Sequence, residues 1–323
     1  MKILRQYLGG LIALMVLYFL VKEYIGVRTE ISTPLTQLKF FLLIPSFVLI
    51  LIYWLGLTVP WFLLLRVFTQ TPISFHPVFL LFHLSNVTRY LPGRVWGVVR
   101  MLALSKQFGL SRTIVGVSLP LHAGFQTLLA GVIVVPMLFS PSFYQSIHFF
   151  LSWHPFNQAI LPIVCGIVCI IIFFFFPQLR ASVKSVFTQV RQTVQQGGYA
   201  LRRCCLSLSV WHLLLWVCQG FAFFLFINGL FPIEFSQLYP ISGAYTLAWL
   251  IGFLSIVPPG GLGVREAVLT LLLSNYMPTT QATLCVLLYR VWTISAEVIW
   301  ACTAFFLNRR TISRNVSHSL TPH

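Results

Sequence analysis

Two arginines and two glutamates lie in apolar stretches where ionised groups could do electrostatic chemistry. Arg265 and Glu266 stand within PPGGLGVREAVLTLLL, residues 258–273, and Arg290 and Glu297 are seven residues apart on one helical face. Charges inside a membrane normally face the protein interior and mark functional sites. We predict that Arg265 and Arg290 bind an anionic ligand and that Glu266 and Glu297 are charge-coupling candidates, as counter-charges or proton carriers. The alternative is a structural ion pair between helices.

A proline and glycine break precedes the first of these charged pairs. Pro258 and the glycines that follow it interrupt an apolar tract of spanning length. A helix that begins at about Gly263 would have free N–H groups and the positive end of its dipole at that point. Gly260, Gly261 and Gly263 would let the backbone approach a ligand closely. Free amides beside an arginine suit a phosphate, so these glycines join the predicted substrate-binding site.

A second break of the same kind occurs earlier in the chain. Residues 81–104, LFHLSNVTRYLPGRVWGVVRMLAL, read as an apolar half-helix, a Pro-Gly break and a second half-helix. When Pro92 is aligned with Pro258, Arg94 stands in the first turn after its break, as Arg265 does after the other. We therefore predict Arg94 as a second phosphate contact.

The composition indicates that the chain is embedded in a lipid bilayer. Hydrophobic residues make up 58% of its 323 residues, charged residues 8%, and the mean hydropathy is +0.89. A helix needs about 20 apolar residues to cross a bilayer. These values predict an all-α polytopic membrane protein that forms a single integral membrane domain, 1–323. The predicted full spans, about six, are 6–21, 40–65, 113–139, 159–176, 206–228 and 280–307.

The two broken segments are predicted to be re-entrant helical hairpins in an inverted repeat. Repeat A covers about 40–139 and repeat B about 206–307, and each holds a span, a broken hairpin and a second span. Irregular backbone at membrane depth survives only where it is buried in protein or lines a wet cavity. Hairpins that dip in from opposite faces would bring their tips together near the middle of the membrane.

Basic residues predict the orientation and a surface segment. The loop 177–205 carries five bases and no acid, which places it in the cytoplasm and, by parity, both termini as well. Nearly all of this loop, about 178–203, has one apolar and one basic face and is predicted to be a helix that lies on the inner leaflet. The alternative is that the loop is an ordinary cytoplasmic connector. The loop 22–39 does not fit, because it falls outside yet carries three bases.

Other site types receive little support from the sequence. The net charge of +16 is scattered at helix ends, so membrane topology and anionic lipid explain it better than nucleic acid. The seven cysteines read as buried apolar thiols, and the eight histidines lack metal-ligand spacing. His122, within a span, reads as a satisfied interior histidine. We therefore predict no metal and no cofactor.

The two motifs together resemble a known family. LPGRVWGVVR followed by GLSR, with PPGGLGVREAVLTLLL and an arginine in the last span, resembles the flippase-like membrane region of bacterial lysylphosphatidylglycerol synthases and their stand-alone relatives. The resemblance covers about 1–307. It implies a bacterial or archaeal cytoplasmic membrane, re-entrant hairpins and movement of aminoacylated phospholipids or lipid-linked sugars. The family motif positions fall on Pro92, Gly93, Arg94, Trp96, Gly263, Arg265, Glu266 and Arg290.

Three functions remain open at this point. The first is a translocase for an anionic phospholipid or a lipid-linked sugar; the resemblance favours it, and no soluble aminoacyl-transfer domain is expected beside it. The second is a membrane-embedded transferase, although metal-dependent transfer needs clustered carboxylates and the chain has five glutamates and no aspartate. The third is a non-catalytic scaffold that binds envelope-biosynthesis proteins.

Overall fold

The computed structural model describes residues 38–69, 72–90, 96–138, 198–254 and 263–319, and within these ranges the chain is helical and contains no strand. Short 3-10 turns occupy Val87–Tyr90, Ser105–Phe108 and Phe235–Gln237. The helices are α1 Phe40–Gly56, α2 Thr58–Phe68, α3 Phe75–Asn86, α4 Trp96–Leu104, α5 Arg112–Leu138, α6 Gly198–Leu230, α7 Leu238–Leu254, α8 Val264–Leu273 and α9 Thr279–Ser319.

Four helical stretches in the described ranges are long and apolar enough to cross a membrane: Phe40–Phe68, Arg112–Met137, Arg202–Leu230 and Thr279–Arg309. They correspond to four of the predicted spans, and the protein is accordingly a multi-pass, all-helical membrane protein. The first stretch consists of α1 and α2, which meet at Leu57. The other two predicted spans, 6–21 and 159–176, lie outside the described residues.

Helix α6 occupies the centre of the bundle and packs on α1, α2, α5, α7 and α9. Small residues let the neighbouring helices approach α6 closely. This is expected in a bilayer, because the hydrophobic effect does not drive helices together there. A Cβ on Gly220 would lie 2.7 Å from Cβ of Ser242 in α7, and one on Gly229 would lie 2.7 Å from Leu43 in α1. Ser46 of α1 donates a hydrogen bond to the Ala222 carbonyl at 2.7 Å. Close backbones and buried hydrogen bonds therefore hold this centre together.

The predicted surface segment overlaps the start of α6. Its last residues, from Gly198 onward, are helical and continuous with the span, and Arg202 and Arg203 are exposed there. The rest of the segment, 178–197, lies outside the described ranges. The predicted inner-leaflet position therefore stays a prediction.

Each predicted hairpin contains two short helices that pack on each other. Helix α3 packs on α4, and α7 packs on α8, as expected for the two arms of a hairpin. The breaks themselves, 91–95 and 255–262, lie outside the described residues. The predicted inverted repeat and the meeting of the two tips stay predictions.

Helix α9 contacts both broken segments, at different heights. Phe79 of α3 packs on Trp300, with ring centroids 5.8 Å apart, and clusters with Ala304 in the C-terminal half of α9. Helix α8 lies beside the earlier part, where Val286 and Arg290 share a pocket with it. A single long helix thereby positions one broken segment relative to the other.

Candidate functional site

The N-terminus of α8 is built around Gly263. This residue has φ 85°, a left-handed conformation that glycine adopts without a steric penalty, and α8 begins directly after it. Its N–H donates to Oε2 of Glu266 at 2.7 Å, which is one half of a capping box. The prediction that the second half-helix begins at about Gly263 is confirmed.

Glu266 joins α8 to α9 through its second oxygen. Oε1 of Glu266 lies 3.7 Å from Nε of Arg290, and the two side chains are only 18% and 11% exposed. In such a setting an ion pair is screened less than at a surface, although burying its two charges is costly. Glu266 thus has one oxygen on the α8 backbone and the other beside an arginine of the last span.

Arg265 points to a different partner, in α7. Its guanidinium carbon lies 4.7 Å from the ring centroid of Tyr245, a distance typical of a cation–π contact. Close packing makes this possible, since a Cβ on Gly252 would come within 2.9 Å of Cβ of Arg265. The aromatic ring holds the guanidinium by one face, so the N–H groups at its edge remain suited to an anion.

These side chains share one small pocket between α7, α8 and α9. It combines two guanidinium groups, one carboxylate, two phenol rings and one hydroxyl with apolar walls. Its lining residues are Tyr245, Arg265, Glu266, Leu269, Val286, Tyr289, Arg290 and Thr293. Arginines with an aromatic wall, next to a helix N-terminus, are a chemical setting for a phosphate or carboxylate group.

The structure adds residues that the sequence did not single out. Tyr245 and Tyr289 are 4% and 2% exposed, and their hydroxyls are both bonded by the buried amide of Gln219 in α6. Their types are ordinary in an apolar helix. The available signal in the sequence was the presence of polar side chains within apolar helices. The sequence does not show which of these side chains lie close together.

Of the other predicted residues, the structure describes Glu297 and Trp96. Glu297, predicted on the same helical face as Arg290, is 5% exposed and lies two turns further along α9. Trp96 begins α4, is 44% exposed and does not line the pocket. Outside the described residues lie Gly93, Arg94, Gly260 and Gly261. Their predicted roles in ligand binding stay predictions.

His122 is buried, as predicted, but its environment differs from a satisfied interior histidine. Its ring lies against that of His212 in α6, with centroids 5.1 Å apart. Nδ1 of His122 and Nε2 of His212 have no hydrogen-bond partner within the described ranges. Those ranges contain no group of three or more metal-ligating side chains.

Comparison with known proteins identifies a family to which the sequence of this chain matches. Residues 6–301 match the family described as lysylphosphatidylglycerol synthase TM region. No curated protein and no solved structure matches the chain. The matched region contains all of α1–α8 and α9 as far as residue 301, including both arginines of the pocket. The chain therefore belongs to the lysylphosphatidylglycerol synthase TM region family.

Proposed function

We propose that the protein is a translocase that moves an anionic phospholipid or lipid-linked sugar between leaflets of a bacterial or archaeal cytoplasmic membrane. The observation that carries this proposal is the pocket in which Arg265 and Arg290 converge at the N-terminus of α8. A phosphate group there would receive charge-assisted hydrogen bonds from both guanidinium groups. The acyl chains would stay in the bilayer, along the apolar outer faces of the helices.

Glu266 gives the pocket an internal competitor for the ligand. Its carboxylate lies beside Arg290 and is chemically similar to the anion that we propose as ligand. A phosphate that pairs with Arg290 would replace this contact, and departure of the phosphate would restore it. Such an exchange avoids leaving the arginine unpaired at membrane depth, which would be costly. We propose that it lowers the barrier for release.

We propose that an inverted repeat supplies the path. Helix α3 packs near Trp300 and Ala304, whereas α8 packs near Val286 and Arg290, so the two broken segments contact different parts of α9. This supports hairpins that enter from opposite faces and meet near Glu297. We propose that Arg94 contributes a second phosphate contact on the other hairpin, so that a headgroup passes from one arginine to the other.

Lipid movement in reconstituted vesicles tests the function directly. The full chain in vesicles that contain a fluorescent phosphatidylglycerol analogue should expose inner-leaflet analogue to an external quencher faster than protein-free vesicles do. A fluorescent phosphatidylcholine analogue is the matched lipid control, and we expect it to move less. If neither phosphatidylglycerol nor a polyprenyl-phosphate sugar moves under any imposed gradient, the translocase proposal is wrong and the scaffold is favoured.

The proposed topology has cytoplasmic termini and makes a separate prediction. Arg202 and Thr279 are both exposed and lie at the start of α6 and of α9, respectively. In a background without native cysteines, we expect Arg202→Cys to be labelled by a membrane-impermeant maleimide only from the cytoplasmic side, and Thr279→Cys only from outside. Labelling of both from one side of intact cells would contradict the topology.

A further inference from the structure

Gln219 lies in the centre of the bundle, where it joins three helices. It is 1% exposed, on α6. Its amide nitrogen donates to the hydroxyl of Tyr245 on α7 at 2.7 Å and to that of Tyr289 on α9 at 3.1 Å. The two tyrosine rings are themselves in contact, with centroids 5.4 Å apart. One side chain thereby holds both hydroxyls, while Phe223 packs on both rings.

Each tyrosine is next to one arginine of the pocket, Tyr245 through a ring contact and Tyr289 along the chain. The Tyr245 ring lies under the guanidinium of Arg265. Tyr289 immediately precedes Arg290 in α9, so a shift of Tyr289 within the helix carries Arg290 with it. Gln219 itself does not line the pocket, although both of its hydrogen-bond partners do. It can therefore act on a ligand only through these neighbours.

The amide of Gln219 is costly for the fold. Its oxygen is buried and has no hydrogen-bond partner among the described residues. Exchanging the amide oxygen and nitrogen would leave the nitrogen unpaired instead. A buried polar group without a partner destabilises a protein, whereas an apolar side chain of similar length would not carry that penalty. The bonds of its nitrogen to two buried hydroxyls offset part of this cost, so stability alone is a weak reason for glutamine at this position.

We infer that Gln219 is a positioning residue that sets the direction and separation of Arg265 and Arg290, and thereby the preference of the pocket for an anionic over a zwitterionic headgroup. The inference rests on the proposed anionic-lipid site. Removing the amide frees the two rings to rotate, so each guanidinium samples more orientations and binds a phosphate less well. Phosphatidylcholine also carries a phosphate, but its choline cation is repelled by the two arginines, so we expect its binding to depend less on their orientation.

Gln219→Met is the direct test, because methionine keeps the length and bulk of the side chain. The full chain is incubated with equal amounts of dioleoylphosphatidylglycerol and dioleoylphosphatidylcholine, and native mass spectrometry counts each bound lipid. We expect the preference for phosphatidylglycerol to fall by about threefold to tenfold, as for a coupled pair of contacting residues. The unfolding temperature should fall only modestly, because the loss of two hydrogen bonds is offset by removal of the unpaired amide oxygen. Tyr245→Phe with Tyr289→Phe removes both hydroxyls, keeps the rings, and should lower the preference in the same direction.

Trp216→Phe is the matched control. It also removes one buried hydrogen bond from α6, that of Nε1 of Trp216 to the Gln126 carbonyl at 3.1 Å, but on a side chain outside the pocket. We expect it to leave the lipid preference intact. Equal loss of both lipids in Gln219→Met would indicate a structural role and overturn the inference.

A double variant separates this inference from the proposed function. In an Arg265→Gln background, Gln219→Met should have much less effect on lipid preference, because one of its targets is already lost. Full additivity of the two changes would overturn the positioning role. If Arg265→Gln lowers the preference and Gln219→Met does not, only the role of Gln219 is wrong. If Arg265→Gln changes nothing, the anionic-lipid site itself is wrong, and the inference with it.

Discussion

Arg265→Glu is expected to reduce phosphatidylglycerol binding by about tenfold or more, the effect of losing one charge-assisted hydrogen bond and adding a repulsive carboxylate. The guanidinium of Arg265 lies over the Tyr245 ring at the N-terminus of α8. Both the helix dipole and Arg290 favour an anion at this point. Arg265→Lys should keep part of the affinity, because a point charge lacks the planar fork of donors. Native mass spectrometry of the purified chain measures this loss.

Arg309→Glu is the control for a general charge effect. Arg309 also lies over an aromatic ring, that of Phe305 at 4.5 Å, but it is exposed at the C-terminal end of the spanning part of α9. We expect this reversal to leave phosphatidylglycerol binding within about twofold of wild type, as for a surface charge. Unchanged lipid retention in Arg265→Glu, with a normal unfolding temperature, would remove Arg265 from the binding site.

Glu297→Gln is expected to abolish acceleration of lipid movement by a pH gradient while basal movement continues. Glu297 is 5% exposed, and we propose that both hairpins approach this part of α9. Glutamine keeps the shape and hydrogen-bonding capacity of the side chain but cannot titrate, so it separates proton coupling from packing. The measurement is movement of the phosphatidylglycerol analogue in vesicles, with and without an imposed gradient.

Glu266→Gln is the paired comparison. The two oxygens of Glu266 are near the Gly263 N–H and the Arg290 guanidinium, so its geometry suits a fixed cap and a competitor for the ligand. We expect Glu266→Gln to alter basal movement and lipid affinity, because Arg290 loses its carboxylate neighbour, and to preserve the response to pH. If both variants respond fully to the gradient, neither glutamate is the coupling group.

The different contacts of Arg265 and Glu266 change how the charged motif is interpreted. In the sequence, Arg265 and Glu266 look like one ionic pair. In the structure, Arg265 contacts Tyr245 of α7 and Glu266 approaches Arg290 of α9. Successive residues of a helix point about 100° apart, so neighbours in the chain contact different helices. Arg265 and Glu266 of α8 therefore connect this helix to α7 and to α9, respectively.

The sequence by itself determined the membrane class and the bounds of four spans to within a few residues, apart from an earlier start for α6 and a later end for α9. Hydrocarbon imposes local demands: a spanning helix must be apolar over about 20 residues and satisfy its own backbone. The start of α8 at about Gly263 was also predicted, because prolines and glycines that interrupt an apolar tract are local features of the chain. Such properties depend on near neighbours along the chain.

Only the tertiary structure decided which polar groups meet. Gln219 reaches tyrosine hydroxyls 26 and 70 residues away, and the contact of Glu266 with Arg290 crosses from α8 to α9. The apolar faces of these helices are nearly interchangeable in composition, so their pattern does not specify which helix lies beside which. Close approach at glycines such as Gly220 and Gly252 selects the neighbours, because a larger residue there would clash with the adjoining helix. The pocket is a consequence of that packing.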